Sequence, residues 1–232
     1  VINFGTVAQA TKIYDGTYGV KRNESAAPGT VKGYIEKAEV QVGTQTLNLY
    51  DRMSVTSATY DATKDVNNGT SQGVTYNLTY TPADDGNIVL APNAVLKVQG
   101  TGVITKRDVT VTVKNPLTKQ YDAGTAVKDA SGNVITGAAL NNLVELTNLT
   151  GNDGATYTTT AVYTNKNAGT GNKTVNYTVS MDATSAGNYN LKYNGGSGNA
   201  FSTNNNTIAK RTVKVNFKDV SKTYDTTTAN PD

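Results

Sequence analysis

Three Tyr-Asp pairs are the positions at which this chain could do chemistry: Tyr14-Asp15, Tyr121-Asp122 and Tyr224-Asp225. A phenol beside a carboxylate offers a donor and an acceptor to a polar ligand, so three such pairs would make a repeated ligand site. The competing reading is structural. Each pair runs into small turn residues, Gly16-Thr17, Ala123-Gly124-Thr125 and Thr226-Thr227. An Asp in that setting accepts nearby backbone amides, and the Tyr can plug the end of a β-sandwich. Recurrence once per repeat, always beside a turn, favours structure. Tyr14, Asp15, Tyr121, Asp122, Tyr224 and Asp225 are therefore assigned to a structural repeat motif, with no ligand identified.

Other chemistries have few residues to work with. The chain has no Cys and no His, which removes disulfides, thiolate nucleophiles, zinc and iron–sulfur sites and any Ser/His/Asp set. Calcium needs several oxygens at close spacing; Asp84-Asp85 is the sole adjacent acidic pair in the sequence and no Asp-x-Asp-x-Asp run exists. No metal site, cofactor or catalytic residue is expected, and Glu24, Glu36, Glu39 and Glu145 read as solvated surface charge. Asn-x-Ser/Thr triplets begin at Asn23, Asn68, Asn77, Asn148, Asn172, Asn176 and Asn205, as a chain rich in Asn and Thr generates by chance. The formal charge of +3 is spread over interspersed Lys and Asp, so no nucleic-acid stripe is present. No stretch approaches the roughly 20 apolar residues of a membrane-spanning helix. Both ends of the sequence read as cuts within a longer protein.

The elements that must position the Tyr-Asp pairs come from an internal repeat. Thr-Lys-Ile-Tyr-Asp-Gly-Thr at 11–17 recurs as Thr-Lys-Gln-Tyr-Asp-Ala-Gly-Thr at 118–125 and as Ser-Lys-Thr-Tyr-Asp-Thr-Thr at 221–227, its tyrosines 107 and 103 residues apart. A second anchor has the same register. Ile104-Thr105-Lys106-Arg107 with Val109, Val111 and Val113 recurs 104 residues later as Ile208-Ala209-Lys210-Arg211 with Val213, Val215 and Phe217. Tyr60 to Tyr80 resembles Tyr163 to Val179, with Val74, Tyr76 and Leu78 alternating like Val175, Tyr177 and Val179. Residues 1–105 thus form a divergent first repeat, 106–209 a second, and 210–232 the first strand and turn of a third that cannot fold alone.

Alternating β-branched residues at Val109–Val113 predict a half-buried strand. Turn clusters at Asn67-Asn68-Gly69, Asp84–Asn87, Ser131–Asn133, Gly151–Gly154 and Gly195–Gly198 separate short strands, as in an antiparallel sandwich. The expected class is all-β: tandem immunoglobulin-like β-sandwich modules in an elongated array. The Leu140, Leu143, Val144 and Leu146 spacing within Gly137–Leu149 leaves a β-grasp-like module with one short helix as the alternative. Between Ile104 and Val109 there is neither Gly nor Pro, so one module's last strand is expected to pass almost directly into the next module's first.

Ile104–Val113, Lys119–Asp122, Asn165–Val175 and Asp182–Leu191 with its Ala186-Gly-Asn-Tyr189 resemble, in order, the YDG/MBG-type tandem repeats of large bacterial surface proteins. That group includes the filamentous-haemagglutinin-like, two-partner-secreted adhesins. The second repeat carries the resemblance. The first lacks Ala-Gly-Asn-Tyr near Asp84–Leu90 and has extra residues around Thr30–Asp51. The resemblance implies secretion, surface display and a non-enzymatic role as stalk or adhesive array. Its partners would be neighbouring repeats, with host or matrix glycans or proteins as the partners of a binding module.

Overall fold

The computed structural model describes residues 1–20, 31–82, 88–91, 94–194, 196–224 and 226. Fifteen strands follow in chain order: β1 (Ile2–Asn3), β2 (Ala10–Ile13), β3 (Glu39–Val42), β4 (Gln45–Asn48), β5 (Met53–Tyr60), β6 (Gln72–Tyr80), β7 (Lys97–Thr105), β8 (Arg107–Val113), β9 (Thr118–Gln120), β10 (Val144–Thr147), β11 (Tyr157–Tyr163), β12 (Gly169–Met181), β13 (Tyr189–Tyr193), β14 (Gly196–Ser197) and β15 (Ala200–Ala209). Tyr50–Arg52 and Gly137–Leu143 are short 3-10 helices. The chain is all-β.

Two compact units divide it. The first takes Val1–Asn115, Thr136–Thr160 and Tyr177–Phe201; the second takes Pro116–Ile135, Ala161–Asn176 and Ser202–Asp232. The first unit therefore draws on both sequence repeats. Its sheets run β1-β3-β4, β2-β7-β6-β5 and β10-β8-β13-β14. In the fourth sheet, ordered β11-β12-β15-β9, β9 and the stretches 161–163, 169–176 and 202–209 belong to the second unit.

Alternation explains why these segments become strands. In β6 the side chains of Val74, Tyr76 and Leu78 are buried while their neighbours are not, and in β12 Val175, Tyr177 and Val179 repeat the pattern. Period two puts these residues on one face, where burial of apolar area stabilises the sheet. Around Tyr76 the core of the first unit gathers Tyr14, Tyr34, Tyr60, Met53, Ile104, Val109 and Tyr189. Tyr rings do much of the filling; Tyr34 and Tyr76 lie 5.3 Å apart, tilted by 50°, a geometry worth about 0.5–1.5 kcal/mol beyond area. At Gly102 a Cβ would come within 2.5 Å of the Tyr60 ring and 2.8 Å of Val74, so any side chain there would have to displace that ring.

Lys106 alone separates β7 from β8. One expectation is met in part and another meets different structure. Within Gly137–Leu149 a 3-10 helix forms over Gly137–Leu143 and gives way to β10, because Val144 and Leu146 pair with Val113 and Val111 of β8 and extended pairing takes over where a partner strand is in reach. Val213–Phe217, the copy of β8, is no strand, and Val213, Val215 and Phe217 are 75%, 71% and 91% exposed. β8 lies between β10 and β13; among the described residues nothing pairs with 213–217.

Candidate functional site: a buried lysine clasp in two copies

β2 alternates inward and outward, so Lys12 points to the same side as Ala10, into the core. Parallel pairing sets Lys12 opposite Ile104 and Ile13 opposite Thr105 of β7, and the Tyr14 amide extends the ladder to the Thr105 carbonyl at 2.8 Å. The chain then reverses at Gly16, whose φ of 75° suits a residue without a Cβ. That reversal brings Asp15 Oδ1 to 2.7 Å from Lys12 Nζ.

The Lys12 side chain is fully buried, which is costly unless each donor is met. Nζ donates to Asp15, to the Thr17 carbonyl and, at 3.0 Å, to the Gly19 carbonyl, using the three donors of an ammonium. The Tyr60 ring roofs it at 5.3 Å, a cation–π distance, and the Tyr60 hydroxyl donates to the Val103 carbonyl at 3.2 Å. Asp15 also accepts the Thr17 amide at 3.0 Å. Burial works against its ionisation, but Lys12 and Thr17 together hold the carboxyl below its ordinary value.

The second unit contains the same arrangement. Lys119 of β9 faces Ile208 of β15 in parallel register, and the Tyr121 amide donates to the Ala209 carbonyl at 2.8 Å. Lys119 Nζ lies 2.8 Å from Asp122 Oδ1 and 2.8 Å from the Gly124 carbonyl, beneath the Tyr163 ring at 5.4 Å. The Tyr163 hydroxyl donates to the Thr207 carbonyl at 3.1 Å. Asp122 has an extra partner, Lys128, at 2.8 Å. Hydrogen bonds from Lys119, Lys128 and the Gly124 amide hold its carboxyl far below the carboxylate range. Both carboxylates and both ammonium groups are committed to each other and to the turn, which fastens the start of each repeat to its last strand.

The three Tyr-Asp pairs end in different surroundings. Tyr14 is 1% exposed. Its ring meets Tyr189 edge to face at 5.5 Å, and both hydroxyls donate to one oxygen of Asp153, at 3.1 Å from Tyr14 and 2.6 Å from Tyr189. Asp153 loses hydration there, yet the hydrogen bonds from Tyr189, the Ala155 amide and Tyr14 keep it below its ordinary value. Burial, reinforced by Asp153, pushes the Tyr14 phenol well up. Arg107 bridges the same place, donating to the Tyr14 carbonyl at 3.3 Å and to the Asn148 carbonyl and side chain at 2.7 Å each. All of these residues belong to the first unit. Tyr121 is half-buried, Tyr224 is 88% exposed, and Asp225 lies outside the described residues.

The lysines and roof tyrosines were not among the site residues expected from sequence. Their signal was present: a Lys stands two residues before each repeat tyrosine, at Lys12, Lys119 and Lys222, and Tyr60 and Tyr163 share the repeat register. Asp84-Asp85, considered for calcium, and the Asn23 triplet with Glu24 lie outside the described residues. Among the described residues no three acidic side chains converge, and no helix is long and apolar enough to cross a membrane.

Comparison with curated proteins and with solved structures gives no match. Residues 105–196 match the family model of the YDG domain, so the part of the chain that supplies Arg107, Asn148, Asp153 and Tyr189 is a YDG-type domain.

Proposed function

We propose that this chain is a non-enzymatic, load-bearing segment of a large bacterial surface adhesin, built of immunoglobulin-like sandwich modules and acting as a secreted stalk. The observation that carries this reading is the parallel pairing at the boundaries of each repeat. β2 runs parallel to β7 from Ala10↔Gly102 to Ile13↔Thr105, and β9 runs parallel to β15 from Thr118↔Thr207 to Gln120↔Ala209. When the start of one strand and the end of its parallel neighbour are pulled apart, the strands slide past each other. Every ladder bond is then loaded together, instead of opening one at a time. The clasp adds an ion pair and carbonyl bonds at the same place, and a chain without cysteine gains a fastening that needs no disulfide.

Forced unfolding is set by the unfolding rate, so single-molecule stretching tests the reading. The parent chain is expected to show two force peaks, and Lys12→Ala to weaken one, with its unfolding rate raised about tenfold or more. Unfolding of the parent at forces no higher than for Lys12→Ala would overturn the load-bearing role.

A further inference from the structure

The Tyr14 end of the first clasp is covered by residues lying one repeat further along; among the described residues, the Tyr121 end of the second has no such cover. We infer that the Tyr121 end is a docking surface for a following YDG-type repeat, a further copy of residues 106–209. The occupant is specified by what already covers Tyr14. Asp153 and Tyr189 close over the phenol, Asn152 donates to the Asp15 carbonyl at 3.3 Å, and Arg107 ties the Tyr14 carbonyl to Asn148. Each of these residues lies within the YDG match.

The second clasp presents the matching half. Its tyrosine amide is held by Ala209 as that of Tyr14 is by Thr105. Lys210-Arg211 follows as Lys106-Arg107 does, which puts a guanidinium in sequence to reach the Tyr121 carbonyl. Arg211 is exposed and Tyr121 only half-buried. Among the described residues its hydroxyl makes no hydrogen bond, whereas that of Tyr14 binds Asp153. Lys106–Val113 recurs after Ala209 as Lys210–Phe217. The two ends also differ in fit. Ala123, φ 61°, stands where Gly16 stands, φ 75°, and a Cβ at Gly16 would meet the Asn152 Cβ at 3.1 Å. The Ala123 methyl must therefore displace the incoming loop by a few tenths of an ångström.

The inference rests on the repeat reading and not on load bearing. Its test involves no force: nitration of tyrosines, read residue by residue by mass spectrometry. In the present chain Tyr121 is expected to react while Tyr14 is protected. In a chain continued after Ala209 by a second copy of residues 106–209, Tyr121 reactivity should fall about tenfold or more, towards that of Tyr14. Asp153→Asn with Tyr189→Phe in the added copy should restore it, and Ala123→Gly should lower it further. A Tyr121 as reactive in the extended chain as in the parent overturns the proposal. That holds whatever the state of the added copy, because Tyr189 shares one core with the repeat before it, so docking and completion of that core are one event. A protected Tyr121 with weak force peaks would remove the load-bearing role alone.

Discussion

The two clasps share a lysine, an aspartate, a roof tyrosine and a parallel strand pair, and differ in what each aspartate has besides the lysine. Asp15 relies on Lys12, whereas Asp122 also holds Lys128. The pair in the first unit is the more dependent on its buried cation, and the pair in the second carries a reserve. Identical motifs in sequence thus become unequal in energy through one side chain outside the motif.

The largest effect should follow from removing that cation. Lys12→Ala leaves Asp15 and the Thr17 and Gly19 carbonyls without their donor and empties the space below Tyr60, costing about 3–5 kcal/mol. Lys119→Ala removes the same donor, but Asp122 retains Lys128, so a loss of about 2–3 kcal/mol is expected. Urea unfolding with unchanged m-values measures both. Equal losses would break the comparison, and in Lys128→Ala the cost of Lys119→Ala should rise towards that of Lys12→Ala.

Next come the tyrosines. Tyr189→Phe removes the 2.6 Å donor to Asp153 and the acceptor of the Thr150 amide, costing about 2–3 kcal/mol. Tyr14→Phe removes the longer donor and leaves Tyr189 in place, costing about 1–2 kcal/mol. Tyr121→Phe should stay within about 0.5 kcal/mol, since among the described residues its hydroxyl makes no hydrogen bond. The midpoint of thermal or urea unfolding separates the three; a Tyr121→Phe loss as large as that of Tyr14→Phe would mean that the second clasp is capped too.

How much of this was legible in the sequence depends on how far each residue's environment reaches. The Val109–Val113 alternation became part of β8, and the alternating Val74, Tyr76, Leu78 and Val175, Tyr177, Val179 became part of β6 and β12, because period two is written locally. The Asp turns were readable too, since their amide bonds span two residues. Burial of Lys12 was not: it depends on Ile104 as strand partner and Tyr60 as roof, both far along the chain, and a lone Lys ordinarily reads as surface. Asp153 was invisible for the same reason, sitting in a Gly151–Gly154 cluster that signals only a turn. Val213–Phe217 shows the converse limit. It has β8's pattern but, among the described residues, none of β8's neighbours, and alternation without a partner strand leaves its side chains in water.

The smallest effect near neutrality is on pH. Asp15, Asp122 and Asp153 are all held below their ordinary values. Each therefore contributes stability that is complete above about pH 4 and is lost as pH falls towards the folded-state value. Acid should weaken both clasps. Alkali should not. Burial, with Asp153 adding to it, raises Tyr14 and Tyr189, so their protonated forms are favoured by folding. That stability is complete below about pH 10 and is lost as pH climbs above it. Tyr76, pushed up by burial to about 12, and Tyr60, also raised, add to the slope in the first unit. Melting temperatures measured between pH 8 and pH 11, a range of about three units around the tyrosine value, should fall in the parent. The fall should be shallower in Tyr14→Phe. A slope in Tyr14→Phe equal to that of the parent would show that Tyr14 gains nothing from Asp153 and Tyr189, and the coverage of its end would lose its physical basis.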